Sequence, residues 1–226
     1  MKIVLRWILW LWISGVIAAA LLWAPLAQGF AGLQGDAPQS SRIVFFHVPM
    51  AVASFFAFMV AAVWSVLYLV KRQARHDFAA VAAIEVGVVF CVLATVTGAV
   101  WSKVQWGKYW NWDPRQTSIA LAILFYGAYL SLRSAVEDPE VRARLSAAYS
   151  ALGIVVAPFL FFIMPRLAAF SLHPKPAGAE MDASIGSVVV AAIFGFSALM
   201  FWMQSIRARM LALDASSIDS DFATVA

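Results

Sequence analysis

At 226 residues, with 63% of them apolar and 12% charged, the chain has too little polar surface to coat a water-soluble globule, which is nearer half apolar and a quarter charged. Its formal charge of +4 fits basic loops beside a membrane and is too small to argue for nucleic-acid binding. The single cysteine, Cys91, lies in an apolar run, so no internal disulfide and no CxxC site exists.

Six apolar segments follow in chain order: Ile3 to Ala27, Ile43 to Val70, Phe78 to Trp101, Thr117 to Leu132, Leu145 to Pro165 and Ala183 to Ile206. Each approaches the roughly 20 residues that a helix needs to cross about 30 Å of hydrocarbon. They are continuously apolar, unlike the alternating strands of roughly ten residues in an outer-membrane barrel. The expectation is an all-α integral membrane protein: one domain over residues 1–226, a bundle of six spans. Pro158 inside the fifth segment predicts a kink. The first run follows Lys2 and Arg6, yet it is too long for a signal-peptide core and no convincing A-x-A site closes it, so it is read as a span.

Loop charge sets the expected orientation. With the N-terminus in the cytoplasm, the inner side holds Lys2, Arg6, Lys71, Arg72, Arg75, Arg133, Arg142, Arg144, Arg207 and Arg209; the outer side holds Arg42, Lys103, Lys108, Arg115, Arg166 and Lys175. Ten cations against six place both termini in the cytoplasm, with residues 207–226 as a short cytoplasmic tail. The six outer cations still call for an explanation. Glu85, inside the third segment, must either snorkel to the near interface or contact another helix, and a contact with a membrane partner is the working expectation.

Helix parity then brings three features to one face. The connection from Gln28 to Arg42 leads into His47, the connection from Arg166 to Asp182 holds His173, and the predicted external loop 102–116 is dense in tryptophan. His76, among Lys71, Arg72, Arg75 and Asp77, reads as a solvated residue of the opposite face. Tryptophan at a membrane interface is ordinarily an anchor. Trp101, Trp106, Trp110 and Trp112 fall within twelve residues, however, and Trp106 and Trp110 are expected mid-loop, away from helix ends. Two imidazoles can supply both axial positions of a heme iron. Indole faces can stack on a planar macrocycle. Arg42 and Arg115 can bond its two propionates through paired hydrogen bonds.

The run Trp106-Gly107-Lys108-Tyr109-Trp110-Asn111-Trp112-Asp113-Pro114-Arg115-Gln116-Thr117 resembles the tryptophan-rich signature W-G-x-x-W-x-W-D-x-R-x-T of membrane proteins that handle heme in cytochrome c biogenesis. Within that superfamily the chain is similar to the family of cytochrome c maturation protein C, also called heme exporter protein C. The resemblance covers nearly the whole chain, since His47 in Phe46-His47-Val48-Pro49, His173 in Leu172-His173-Pro174, and Arg42 also match. It implies heme bound as cargo at the periplasmic face of the bacterial inner membrane. His47 and His173 would be the axial ligands, with Arg42, Trp106, Gly107, Tyr109, Trp110, Trp112, Asp113 and Arg115 around the macrocycle. It implies delivery to a periplasmic heme chaperone, cytochrome c maturation protein E. It also implies a complex with an ABC-type ATPase, a second membrane subunit and a small single-span subunit, and no enzymatic activity. No G-x-x-x-x-G-K-[ST] run is present, so ATP hydrolysis falls to a partner. One departure stands out: the family often has a tryptophan shortly before the second histidine, whereas here Phe170 is the nearest aromatic residue and Pro174 follows directly.

Three alternatives stay open at this level. A cytochrome c synthetase shares the signature but has a longer chain and more histidines. A transporter permease would use the tryptophans only as anchors. A b-type electron carrier would bury two histidines between its spans instead of at the rim.

Overall fold

A backbone in hydrocarbon has no water to bond, so an apolar run must satisfy its N–H and C=O groups within itself, as a helix. The computed structural model describes residues 3–26, 38–167, 170–173 and 183–225, with 38 and 217–225 given by backbone alone. Among them there is no strand, and six helices are long and apolar enough to cross a membrane. Helix α1 covers Ile3–Ala18 and continues as a π turn, Ala19–Trp23. A 3-10 turn, Pro38–Ile43, leads into α2, Val44–Lys71; α3 is Ala74–Trp106 and α4 is Pro114–Ala135. The fifth span, α5, is Pro139–Leu167, and α6 is Ala183–Val225.

Several ends differ from the apolar runs. Hydropathy marks the hydrocarbon, whereas caps and turns mark the helix. Helix α3 runs five residues beyond Trp101 and stops only where Gly107 takes φ 77°, a left-handed value that glycine adopts without steric cost. Trp106 is therefore the last helical residue, and the loop expected over 102–116 shrinks to 107–113. Helix α6 continues past Ile206, so the expected tail 207–226 is helical as far as Val225. Asp113 and Asp138 accept bonds from the backbone N–H groups of Arg115 and Val141, each followed by a proline in the first turn, the arrangement that starts a helix cleanly. At Pro158 the fifth span leaves α geometry: residues Phe159–Ile163 form a π turn, one way a helix accommodates a missing N–H donor.

Small residues let α2 and α3 approach closely. Ala53, Ala57 and Ala61 of α2 and Ala83 and Ala94 of α3 are all buried, as close helix packing in a membrane favours. Phe58 of α2 stacks on Tyr126 of α4, with centroids 3.6 Å apart and planes at 8°. Trp12 of α1 donates to the Ala191 carbonyl of α6 at 2.9 Å, while Trp7, Trp10 and Leu11 are exposed on the outside of the bundle.

At the end where α2 meets α3, two arginines pair with carboxylates. Arg133 bonds Asp77 through two contacts, 2.8 and 2.6 Å. Arg207 bonds Glu85 through two, 2.6 and 3.1 Å, so the carboxylate's contact is with α6 of its own chain. His76, expected to be solvated, is buried and stacks on Trp64 at 5.6 Å. The reason is that α3 begins at Ala74, which turns its first-turn residues His76 and Asp77 toward α2 and α4.

Candidate functional site

The opposite end holds a cavity of about 520 Å³, within the roughly 300–1,000 Å³ range of small-molecule sites. Helix α2 lines it with His47, Val48, Val52 and Phe55, and α3 with Gly98 and Trp101. The connecting loop supplies Trp110, α4 supplies Arg115, Gln116 and Ile119, and the π turn and last turn of α5 supply Phe161, Phe162 and Arg166. His173 closes it.

Both histidines are held by one ring nitrogen. Nδ1 of His47 lies 2.9 Å from the Ala94 carbonyl and 3.2 Å from Thr97 Oγ1. A carbonyl can only accept, so Nδ1 carries the proton and Nε2 keeps its lone pair. Gly98 makes room for the ring: a Cβ there would sit 2.7 Å from His47 Cε1. Nδ1 of His173 donates to Asp113 Oδ1 at 2.6 Å. The two nitrogens opposite are left for the cavity, and hydrogen bonding of the far nitrogen to a carboxylate or carbonyl is the usual support of a metal-binding imidazole.

Asp113 is fully buried and joins the two loops. It accepts from His173 Nδ1, from the backbone N–H of Arg115 at 2.9 Å, from Ser171 Oγ at 2.9 Å and from the backbone N–H of Leu172 at 2.6 Å. Burial alone pushes its carboxyl up. The His173 hydrogen bond and charge, with the Arg115 and Ser171 bonds, outweigh burial and hold it well below the usual carboxylate range. His173 also packs against Trp106 at 5.0 Å and Trp101 at 6.2 Å.

The loop is latched from both sides. Ser102 Oγ donates to the Lys108 carbonyl at 2.7 Å and accepts from Asn111 Nδ2 at 2.7 Å. Gln116 Oε1 accepts from the Asn111 N–H at 2.8 Å, and Gln116 Nε2 donates to the Tyr109 carbonyl at 3.3 Å. Lys103 Nζ donates to the Gly107 carbonyl at 2.8 Å. Trp110 meets Trp112 edge-on at 5.9 Å, but only Trp110 of these two lines the cavity. Trp112 has φ 56° and is 76% exposed. A left-handed backbone is uncommon for so bulky a residue, and here it turns the indole outward. Tyr109 is exposed as well.

The structure thus brings His47, His173, Trp110 and Arg115 to one cavity, places Trp106 and Asp113 behind His173, and leaves Gly107 as the turn that ends α3. Tyr109, Trp112 and Arg42 do not line it. Arg42 is engaged elsewhere: its guanidinium donates to the Ala20 carbonyl, to the Ala24 carbonyl at 3.3 Å and to Gln39 Oε1 at 2.9 Å. It satisfies carbonyls that the end of α1 leaves without helical partners. The sequence reading missed Gly98, Thr97 and the latches Ser102, Asn111 and Gln116. Asn111 and Gln116 stood inside the signature; Gly98 and Thr97 carried no signal, since only packing reveals the ring beside them. Among the described residues no three His, Cys, Asp or Glu side chains come together as a cage for a bare metal ion.

Comparison with known proteins agrees along the chain. The family model for heme exporter protein C matches residues 1–220. A heme exporter protein C of Rhodobacter capsulatus is 31% identical over 177 residues, covering 74% of this chain and 71% of the relative. One from Escherichia coli is 28% identical over 204 residues, covering 90% and 83%. One from Paracoccus denitrificans is 39% identical over 116 residues, where the match spans about half of each, 51% and 48%.

Proposed function

The chain belongs to the heme exporter protein C family, and from that premise we propose that the cavity holds heme iron between His47 and His173 at the periplasmic face of the inner membrane. The family's work is heme handling in cytochrome c maturation, and this chain is a multi-pass, transporter-type component of it. In the proposed reading heme is cargo, handed to a periplasmic heme chaperone, with ATP hydrolysis left to a partner ATPase. Both termini lie in the cytoplasm.

The single observation that carries this reading is the matched state of the two histidines. They arrive from different helix ends, each has Nδ1 occupied, and each keeps Nε2 for the same cavity. Two imidazoles alone are too few for a bare ion, but they suffice for an iron that brings four equatorial nitrogens with it. Trp110 and Trp101 offer apolar walls, and Val48, Val52, Phe55 and Phe161 exclude water from the membrane side. The outward-turned Trp112 and Tyr109 are free to meet the chaperone, being exposed aromatics of the kind enriched in protein interfaces.

The test is spectroscopic. Purified protein supplied with heme should show a low-spin bis-imidazole spectrum when oxidised. His47→Ala and His173→Ala should each open one coordination position, and free imidazole should partly restore the low-spin signal. His76→Ala should keep the wild-type spectrum. Wild-type spectra in both site variants would overturn the ligand assignment.

A further inference from the structure

Four of the six outer cations are described with definite partners or neighbours, and they divide into two kinds. Arg42 caps α1, and Lys103 bonds the Gly107 carbonyl. Arg115 and Arg166 instead line the cavity, and among the described residues no Asp or Glu lines it with them. The Arg115 guanidinium has no hydrogen-bond partner among the described residues. Arg166 donates one N–H to the Phe162 carbonyl, four residues back on the π-turn side of α5, which steadies the group and leaves most of its five donors without a partner among the described residues.

Both guanidiniums are exposed beside one partly apolar cavity and repel each other, and the Asp113 carboxylate that offsets Arg115 is already bonded by His173, Ser171 and two backbone N–H groups. Elsewhere in this chain the arginines nearest the membrane interior meet carboxylates, Arg133 with Asp77 and Arg207 with Glu85. Among the described residues no carboxylate is hydrogen-bonded to either cavity guanidinium, and an occupant of the cavity would supply one. A guanidinium fork matches a carboxylate through two parallel hydrogen bonds, and two forks match two carboxylates. Phe161 and Phe162 beside Arg166 and Ile119 beside Arg115 call for the rest of that occupant to be apolar.

We propose that Arg166, with Arg115, forms a two-guanidinium port for the paired carboxylates of the cargo, the place that the sequence alone assigns to Arg42. The proposal rests on the heme reading above and identifies which end of the macrocycle faces α4 and α5. The geometry that delivers Arg166 is local to this chain: the π turn after Pro158 and the short helical turn Met164–Leu167 set the residue on the cavity rim.

The experiment compares iron protoporphyrin IX with its dimethyl ester, which keeps the iron and macrocycle but loses both negative charges. Full-length protein in detergent should bind the diacid at least tenfold more tightly than the diester. Arg166→Ala should lower diacid affinity about tenfold or more, leave diester affinity unchanged and keep the low-spin spectrum. Arg166→Lys should recover part of the diacid preference, since charge returns without the fork. Lys108→Ala removes an exposed cation from the same face and should leave the preference intact. Equal loss for both ligands would make Arg166 a packing residue only, and an unaltered preference in Arg166→Ala would remove it from the site; either result overturns the port. Wild-type protein that binds neither compound would instead defeat the heme reading itself.

Discussion

At the end of the bundle where Arg133 and Arg207 lie, histidine, tryptophan and charge meet one another; at the opposite end the same residue types meet a cavity. His76 stacks on Trp64, Asp77 takes Arg133, and Glu85 takes Arg207. His47 and His173 are each tied by one nitrogen only, and Arg115 and Arg166 line the cavity with no Asp or Glu beside them in its described lining. Composition is shared, so residue type does not separate structure from function here. Unused bonding capacity alone does not separate the ends either, since the buried His76 Nδ1 has no hydrogen-bond partner among the described residues; what separates them is that the partly unused groups of the second end converge on one cavity. A polar group left partly unused inside or beside a membrane is costly, and several of them lining the same cavity mark a ligand site.

The sharpest way to break that contrast is to remove a partner at the paired end. Asp77→Ala leaves Arg133 without its carboxylate at a largely buried position. Loss of one partner of a buried pair costs about 3–5 kcal/mol, so thermal stability in detergent should fall steeply, while the surviving folded fraction keeps its heme spectrum. A spectral change as large as the loss of stability would mean that the two ends are coupled and the contrast is false.

At the cavity end the largest effect short of the ligands themselves is expected at Asp113. It makes no contact with iron in the proposed arrangement and acts by positioning His173. Loss of a hydrogen-bonding carboxylate behind a metal-binding histidine typically costs about 10–100-fold in retention. Asp113→Asn should therefore weaken heme retention by that order with stability changed less than in Asp77→Ala. The pH dependence has a definite sign. The folded carboxyl is held below its ordinary value, so its contribution to stability is present above the usual carboxylate pKa near 3.9 and is lost as pH falls through the lower folded value. Tryptophan fluorescence of the heme-free protein should show the two loops held together from pH 7 to about pH 4 and separating below that. Separation already at pH 5 to 6 would contradict the clamp.

The six spans are legible because apolar runs of this length have one solution in a membrane. The signature is legible as well: Asp113-Pro114 reads as a helix start, and the tryptophan density reads as a site. What the sequence withholds are the outcomes of packing. Asp113 and His173 are 60 residues apart, and nothing in either segment announces that they bond. Arg42 and Arg166 are equivalent as outer cations until the end of α1 claims one and the π turn carries the other to the cavity. His76 looks solvated beside three cations until α3 is seen to start before it. Trp106 looks like a loop residue because the apolar run ends near Lys103, although the helix ends at Gly107.

Gly98 gives a smaller effect and a cleaner probe of His47. An added methyl would meet the imidazole at 2.7 Å, so either the ring or α3 must shift. Overpacking of this kind costs about 1–3 kcal/mol. The shift should appear at iron, with a growing high-spin fraction in Gly98→Ala and little change at the diacid preference. An unaltered spectrum would show that His47 has slack and is not held for ligation.

The smallest effect is expected at Glu85, and it tests the paired end from its weaker side. Its pair with Arg207 is partly open, with side-chain exposures of 31% and 36%, unlike Asp77 and Arg133 at 8% and 17%. Partly exposed pairs, and polar pairs between membrane helices, typically contribute about 0.5–1 kcal/mol. Glu85→Gln should lower stability by no more than that. Adding Arg207→Gln should cost little further, because the second change removes a cation already left without its partner. A double-mutant cycle reads the coupling directly. Coupling near zero together with loss of a co-purifying membrane subunit in Glu85→Gln would return the residue to an intermolecular role. Coupling of the expected size with the complex intact would confirm that both pairs belong to the bundle's own architecture, leaving the cavity end as the part of the molecule that faces a ligand.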